Sequence, residues 1–165
     1  MKNPGISAFF PVYNDEGTVE LMVARLRKVL SELTKDYEII IVDDCSPDKS
    51  GQIADRLAKK YRNIKVIHHK KNRGYGGALK SGFNAATKDL IFYTDGDAQY
   101  DVSELKKLMK YIGDYDFVTG IKIKRSDKLY RVLVSRIYYE TLKLFFGIKI
   151  RDISGDFRLF RKKVV

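Results

Sequence analysis

Five short runs of β-forming residues, each separated from the next by a stretch of helical periodicity, constrain this chain more than any other feature. The runs lie at residues 6–10, 37–42, 64–68, 90–94 and 116–119. Between the first two, Leu21, Val23, Ala24, Leu26, Leu30 and Leu33 recur at helical spacing. Ser46 followed by Pro47 predicts an N-cap and first helical residue, opening a second helix to about Tyr61. A third helix carries Ala78, Leu79, Phe83 and Ala86, and a fourth runs over residues 102–112. Strand–helix alternation at this spacing predicts a parallel, doubly wound sheet flanked by helices. Residues 37–42 are almost continuously apolar, as strands covered on both faces are.

The polar segments say where chemistry can collect. Three clusters, at 11–16, 43–48 and 95–99, follow directly on strands, and a fourth at 72–77 comes a few residues after one. Open parallel sheets bind ligands beyond the carboxyl ends of their strands, so all four clusters are expected at one sheet edge. The cluster Asp95-Gly96-Asp97 places two hard oxygen ligands one residue apart after a buried strand, an arrangement suited to Mg²⁺ or Mn²⁺ carrying a diphosphate. Gly96 is expected to leave room for phosphates near the backbone. Taken alone, Asp-Gly-Asp is also what a polar turn looks like; convergence with the other clusters favours a site.

The glycine-rich segment matches neither familiar phosphate cradle. Leu79 stands where a dinucleotide fingerprint needs its third glycine, and also where a P-loop needs the glycine before Lys80-Ser81. What remains is a glycine-rich turn at a helix start, with Arg73 beside it, suited to an anion or to a tight turn alone.

The chain has 165 residues, 44% of them hydrophobic, enough for one domain with a real core. Its only cysteine, Cys45, excludes an internal disulfide. No leader is visible at Met1, and no apolar run approaches the roughly 20 residues needed to span a bilayer. Net charge is +11, and residues 121–165 carry 13 Lys/Arg against four acids. A basic third on a nearly neutral remainder implies a polyanionic or membrane partner for that end. Residues 129–146 form an expected helix that is apolar nearly all round, with Lys128, Arg131 and Ser135 on one face. Such a face suits a phosphate while the rest meets lipid, or serves ordinary packing. The chain reaches Val165 in what looks like the start of an element, so a longer natural protein is expected, with room for membrane helices beyond it.

The segments PVYNDE, IVDDCSPD, NRGYGGALKSG, YTDGDAQYD and DISGDFRLFRKK, in that order, resemble the family-2 inverting glycosyltransferases of the GT-A fold. Within them the chain is most similar to the dolichyl- or polyprenyl-phosphate sugar synthases. The resemblance implies a single α/β domain with a Rossmann-like, mostly parallel sheet flanked by helices. Residues 1–120 would form the nucleotide-sugar half and 121–165 the acceptor-side half. It implies a donor pocket of Pro11, Tyr13, Glu16, Asp43, Asp44 and Arg73, with Asp44 on the base. Asp95 and Asp97 would act on a Mg²⁺ or Mn²⁺ diphosphate, Asp97 as direct ligand, with Gln99 near the metal. Lys122, Arg131, Ser135 and Arg158 would hold the lipid phosphate. Relatives often carry Cys-Gly or Ser-Gly before Phe-Arg where this chain has Gly155-Asp156, and Asp156 is either a catalytic base or a structural acid paired with Arg158.

The implied reaction moves a sugar from a nucleotide diphosphate sugar to a polyprenyl phosphate, on a chain that is cytoplasmic and peripheral at the inner face of the membrane. Two rivals come from other classes. In a transferase with a saccharide or other hydroxyl acceptor, Asp156 would be the base. A nucleic-acid-binding module would explain the basic end but leaves the gathered aspartates unexplained. His68, His69 and Cys45 are read as non-catalytic.

Overall fold

The computed structural model describes residues 4–121 and 155–165, together with 134, 137, 138, 140, 141 and 143–145. The element order is β1 (Ile6–Val12), α1 (Val19–Leu33), β2 (Tyr37–Asp43), α2 (Ser50–Lys60), β3 (Ile64–His68), α3 (Gly74–Ala85) and β4 (Leu90–Tyr93). A 3-10 turn (Val102–Glu104), α4 (Leu105–Met109), β5 (Phe117–Thr119) and β6 (Arg158–Arg161) complete the described chain. The strands form one six-stranded sheet in the order β3-β2-β1-β4-β6-β5. β1, β2, β3 and β4 are mutually parallel, with Val12 opposite Asp43 and Asp43 opposite His68. β6 runs antiparallel between β4 and β5.

Side-chain alternation along β1 splits the core into two layers. Ile6, Ala8, Phe10 and Val12 pack with Met22, Val23 and Leu26 of α1, and with Ala54, Leu57, Leu105 and Leu108. On the other face Phe9 joins Ile40, Val42, Ile91, Tyr93 and Phe160 beneath Ala78 of α3. Phe9 lies 4.9 Å edge-on from Phe83 and 5.5 Å stacked from Tyr93. A fully buried side chain of this size is worth ~1.5–3 kcal/mol over an exposed one. The parallel ladder continues past the strand ends, through Asp44 N–H to Val12 O (3.0 Å), His69 N–H to Asp43 O (2.9 Å) and Thr94 N–H to Phe9 O (3.3 Å). Those bonds carry the order of the sheet into the loops where the polar clusters sit.

Three expectations about elements need correction. α2 starts at Ser50 behind Lys49, not after Ser46. Ser46 N–H instead donates to Asp43 Oδ1 at 3.0 Å, so the Asp43 side chain ties down the 43–46 segment ahead of the helix. The fourth helix is short, residues 105–109 after a 3-10 turn. β6 was not foreseen: Arg158-Leu159-Phe160-Arg161 gains its strand from pairing with β4, and buries Leu159 and Phe160 in opposite core layers.

Of the helix expected over 129–146, the described positions are helical, and Val134, Ile137, Tyr138, Leu144 and Phe145 are exposed. Lys122, Arg131 and Ser135 lie outside the described residues. Among the described residues no helix is long and apolar enough to cross a membrane.

Candidate active site

Beyond the carboxyl ends of the parallel strands lies a cavity of about 380 Å³. All four polar clusters contribute to it: Pro11, Val12, Tyr13 and Asp15 after β1, Asp44 after β2, Asn72, Gly74, Tyr75 and Ala78 around the start of α3, and Asp95, Gly96 and Asp97 after β4. Non-glycine residues with left-handed backbone cluster in the same loops, at Asn14 (φ 61°), Cys45 (φ 63°) and Ala98 (φ 60°). Such conformations cost of order 1 kcal/mol each and persist only where surrounding contacts hold them.

Asp44 is buried and held from two sides. Its Oδ1 accepts from the Arg73 N–H at 2.8 Å and from His69 Nδ1 at 2.5 Å. Burial opposes ionisation here, but the hydrogen bonds from His69 and Arg73 outweigh it and keep the carboxyl below the ordinary range. The His69 ring is itself buried, and its Nε2 lies 2.8 Å from Ser81 Oγ. Ser81 Oγ in turn accepts from Arg73 Nη1 at 3.4 Å. Asp44, His69, Ser81 and Arg73 therefore close a ring that fixes the carboxylate at the cavity edge.

The Tyr75 hydroxyl donates to Asp95 Oδ1 at 3.0 Å, with the Asp156 carboxylate close enough to act on it. Burial of the phenol, with the Asp95 and Asp156 charges beside it, raises its pKa, so it stays a hydrogen-bond donor across physiological pH. Asp97 is exposed at the mouth, its Oδ1 accepting from the Gln99 N–H at 3.0 Å. At Gly96 a Cβ would stand 2.4 Å from the Pro11 carbonyl oxygen, so the protein's own backbone already requires glycine there.

The structure thus brings Pro11, Tyr13, Asp44, Asp95 and Asp97 together, with Arg73 and Asp156 at the border. It does not bring Asp43, Glu16 or Gln99 into the cavity lining. Asp43 is committed to Ser46 N–H and, at 2.8 Å, to His68 Nδ1. Glu16 accepts from the Lys49 N–H at 3.1 Å, and Asp15 lines the cavity in its place. Gln99 borders a second cavity of about 670 Å³ between α1 and residues 98–106. Arg158 donates through Nε to Gly155 O at 2.8 Å, and its guanidinium lies over the Tyr93 ring. Asp15, Tyr75 and Ser81 were not assigned to the site from sequence, and His69, read as non-catalytic, supports Asp44 from behind. Tyr75 had a signal, an aromatic inside a glycine-rich turn; His69 had none beyond following a strand.

A divalent cation can be tested against these donors. Among the described residues there is no cluster of three or more metal-ligating side chains. Asp95 and Asp97 offer two carboxylates on one turn, and an ion of the Mg²⁺ or Mn²⁺ kind takes its remaining oxygens from phosphate and water. The donor set fits a metal that arrives with a diphosphate.

Known proteins resemble the chain in both sequence and fold. An undecaprenyl-phosphate 4-deoxy-4-formamido-L-arabinose transferase of Photorhabdus laumondii is 33% identical over 162 residues, covering 97% of this chain and 50% of that protein. The chain spans about half the length of the curated relatives it matches. A mannosyltransferase from Pyrobaculum calidifontis, solved with GDP-Man and Mn²⁺, superposes with a TM-score of 0.73 at 20% identity, over 99% of this chain and 46% of that one. Glucosyl-3-phosphoglycerate synthase of Mycobacterium tuberculosis, solved with phosphoglyceric acid, gives 0.76 at 19% identity over 98% of this chain and 58% of that one. These likenesses establish the GT-A fold. The model of glycosyl transferase family 2 matches residues 7–165, from β1 through both carboxylate loops to β6, and the chain belongs to that family.

Proposed function

We propose that the chain binds a nucleotide diphosphate sugar with a divalent metal and transfers the sugar to a polyprenyl phosphate with inversion. The observation that carries this is the convergence of Asp44 and the Asp95/Asp97 pair on one cavity. A carboxylate kept anionic suits the donor N–H groups of a nucleobase. A pair of hard carboxylates suits the metal of a diphosphate. The relatives are named for undecaprenyl-phosphate transfer, and the fold neighbours were solved with Mn²⁺ and GDP- or UDP-sugars, which supports the same reading.

Asp97, with Asp95, would hold the metal, which when bound would neutralise the diphosphate as charge builds on it. Asp44 and Arg73 would orient the nucleotide. A phosphate oxygen of the acceptor attacks the anomeric carbon; the new C–O bond forms as the bond to the diphosphate breaks, and the electron pair leaves with the nucleoside diphosphate. A phosphate monoester is already ionised near neutral pH, with a second pKa of about 6, so no strong base is required. On sequence grounds Lys122, Arg131 and Ser135, with Arg158, would position that phosphate, making residues from about 121 onward the acceptor half. A lipid acceptor would bring the chain to a membrane surface.

A hydroxyl acceptor with Asp156 as base is the second reading, favoured by one observation: the Asp156 carboxylate stands near the Tyr75 hydroxyl that binds Asp95 and helps raise its pKa. Incubation with GDP- and UDP-sugars, Mn²⁺ and a short polyprenyl phosphate, read by mass spectrometry, tests both. Glycosyl phospholipid from the wild type, retained in Asp156→Asn, is the expected result. Transfer only to a saccharide or small hydroxyl acceptor, abolished in Asp156→Asn, would overturn the phosphate-acceptor reading.

A further inference from the structure

α1 starts behind Thr18, at the N-cap position, where a threonine ordinarily accepts a hydrogen bond from the first turn. Thr18 makes no such cap. Its hydroxyl is directed to the Gly96 carbonyl at 2.8 Å, and lies 3.1 Å from Asp15 O. Two turns along the same helix face, Arg25 Nη1 donates to the Ala98 carbonyl at 3.0 Å. One face of α1 thus holds the two carbonyls that flank Asp97.

The turn it holds has reason to move. Ala98 sits at φ 60°, a left-handed conformation that a residue with a Cβ adopts at a cost. Gly96 passes so close to the Pro11 carbonyl that a side chain there would displace the turn. A backbone kept in such a form needs contacts from outside itself. The Gln99 N–H closes the turn locally on Asp97 Oδ1, but both bonds that tie its carbonyls to a helix come from Thr18 and Arg25. Neither residue lines the donor cavity.

The geometry points to Thr18 and Arg25 as positioning residues, which hold Asp95-Gly96-Asp97-Ala98 in the form that presents both carboxylates to a metal-bound diphosphate. Their effect on the donor rests on the metal-diphosphate reading above; their effect on the turn does not. The side chains act through backbone carbonyls, so their removal loosens the turn and leaves Asp44 and its ring untouched.

The test compares Arg25→Met and Thr18→Val with Lys28→Met, an exposed position on the same helix, by two readouts. Amide exchange across residues 95–100, with no nucleotide present, is expected to quicken about tenfold in the first two variants, the equivalent of ~1.4 kcal/mol for one lost hydrogen bond. Calorimetric titration with GDP or UDP is expected to show the Mn²⁺-dependent gain in affinity reduced about tenfold, with binding in chelator unchanged and part of the gain regained in Arg25→Lys. A lower melting temperature with unchanged exchange at 95–100 and an unchanged Mn²⁺ gain would overturn the proposal and leave a packing role. If the wild type shows no Mn²⁺-dependent binding, the metal-diphosphate reading fails, and exchange alone decides whether α1 holds the turn.

Discussion

Replacing His69 by phenylalanine removes both ring nitrogens from the ring that fixes Asp44 while keeping an aromatic ring in place. Asp44 Oδ1 keeps the Arg73 N–H and loses the His69 donor; Ser81 Oγ keeps only the 3.4 Å contact from Arg73. A hydrogen bond to a charged group contributes ~1.5–3 kcal/mol, and burial of both partners leaves little screening here. For a domain of this size each kcal/mol moves the melting temperature by about 2–4 °C, so a fall of roughly 3–12 °C is expected. About half of the lost energy, appearing as misorientation of Asp44, weakens nucleotide binding roughly 3- to 13-fold. Calorimetry with chelator present isolates this contribution from the metal. A folded His69→Phe variant that binds nucleotide as the wild type does would refute the reasoning, because Asp44 would then need no support from behind.

Other consequences follow from single contacts. Gly82→Ala sets a Cβ 2.3 Å from the Phe9 ring, and overpacking of ~1–3 kcal/mol should outweigh the helix gain from alanine; a raised melting temperature would contradict this. Gly96→Ala places a Cβ against the Pro11 carbonyl at 2.4 Å, so the turn shifts and Mn²⁺-dependent nucleotide binding is lost while metal-free binding survives in the titration. At the opposite sheet edge Glu38 is buried, yet Lys65, Ser7 and Thr87 bind it and outweigh that burial, holding its pKa down to about 2. A lowered folded-state pKa means the stabilisation is complete above the unfolded value near ~4.3 and is lost as pH falls toward 2. The stability difference between wild type and Glu38→Gln in urea melts, on the order of 1–2 kcal/mol after screening at the half-exposed Lys65, should therefore shrink between about pH 4.5 and 2.

Much of this was legible in the residues because it depends on local pattern. Apolar runs and helical spacing place β1 through β4 and α1, and a parallel sheet forces the loops after those strands to one edge. That is why Pro11, Tyr13, Asp44, Asp95 and Asp97 meet as expected. What escaped depends on long-range pairing. β6 is four residues whose flanking arginines give no strand signal, and it exists because β4 offers an open edge. Asp43 and Asp44 are adjacent, so residue pattern alone does not say which faces the cavity; only the family resemblance put Asp44 on the base. Asp43 is taken up by the Ser46 N–H and His68, and Asp44 by His69 and the Arg73 N–H at the cavity. Thr18 resembles an ordinary N-cap until Gly96, 78 residues later, is placed beside it.

The central claim is that Asp44 and the Asp95/Asp97 pair form the two ends of one nucleotide-diphosphate site. Its most direct test is calorimetric titration of GDP and UDP into the purified chain, with Mn²⁺ and with chelator, repeated on Asp97→Ala. The account predicts that one nucleotide binds, that Mn²⁺ tightens it, and that Asp97→Ala removes only the Mn²⁺ contribution. Binding of neither nucleotide by the folded wild type with Mn²⁺, or an Asp97→Ala variant that keeps the full Mn²⁺ effect, would contradict it.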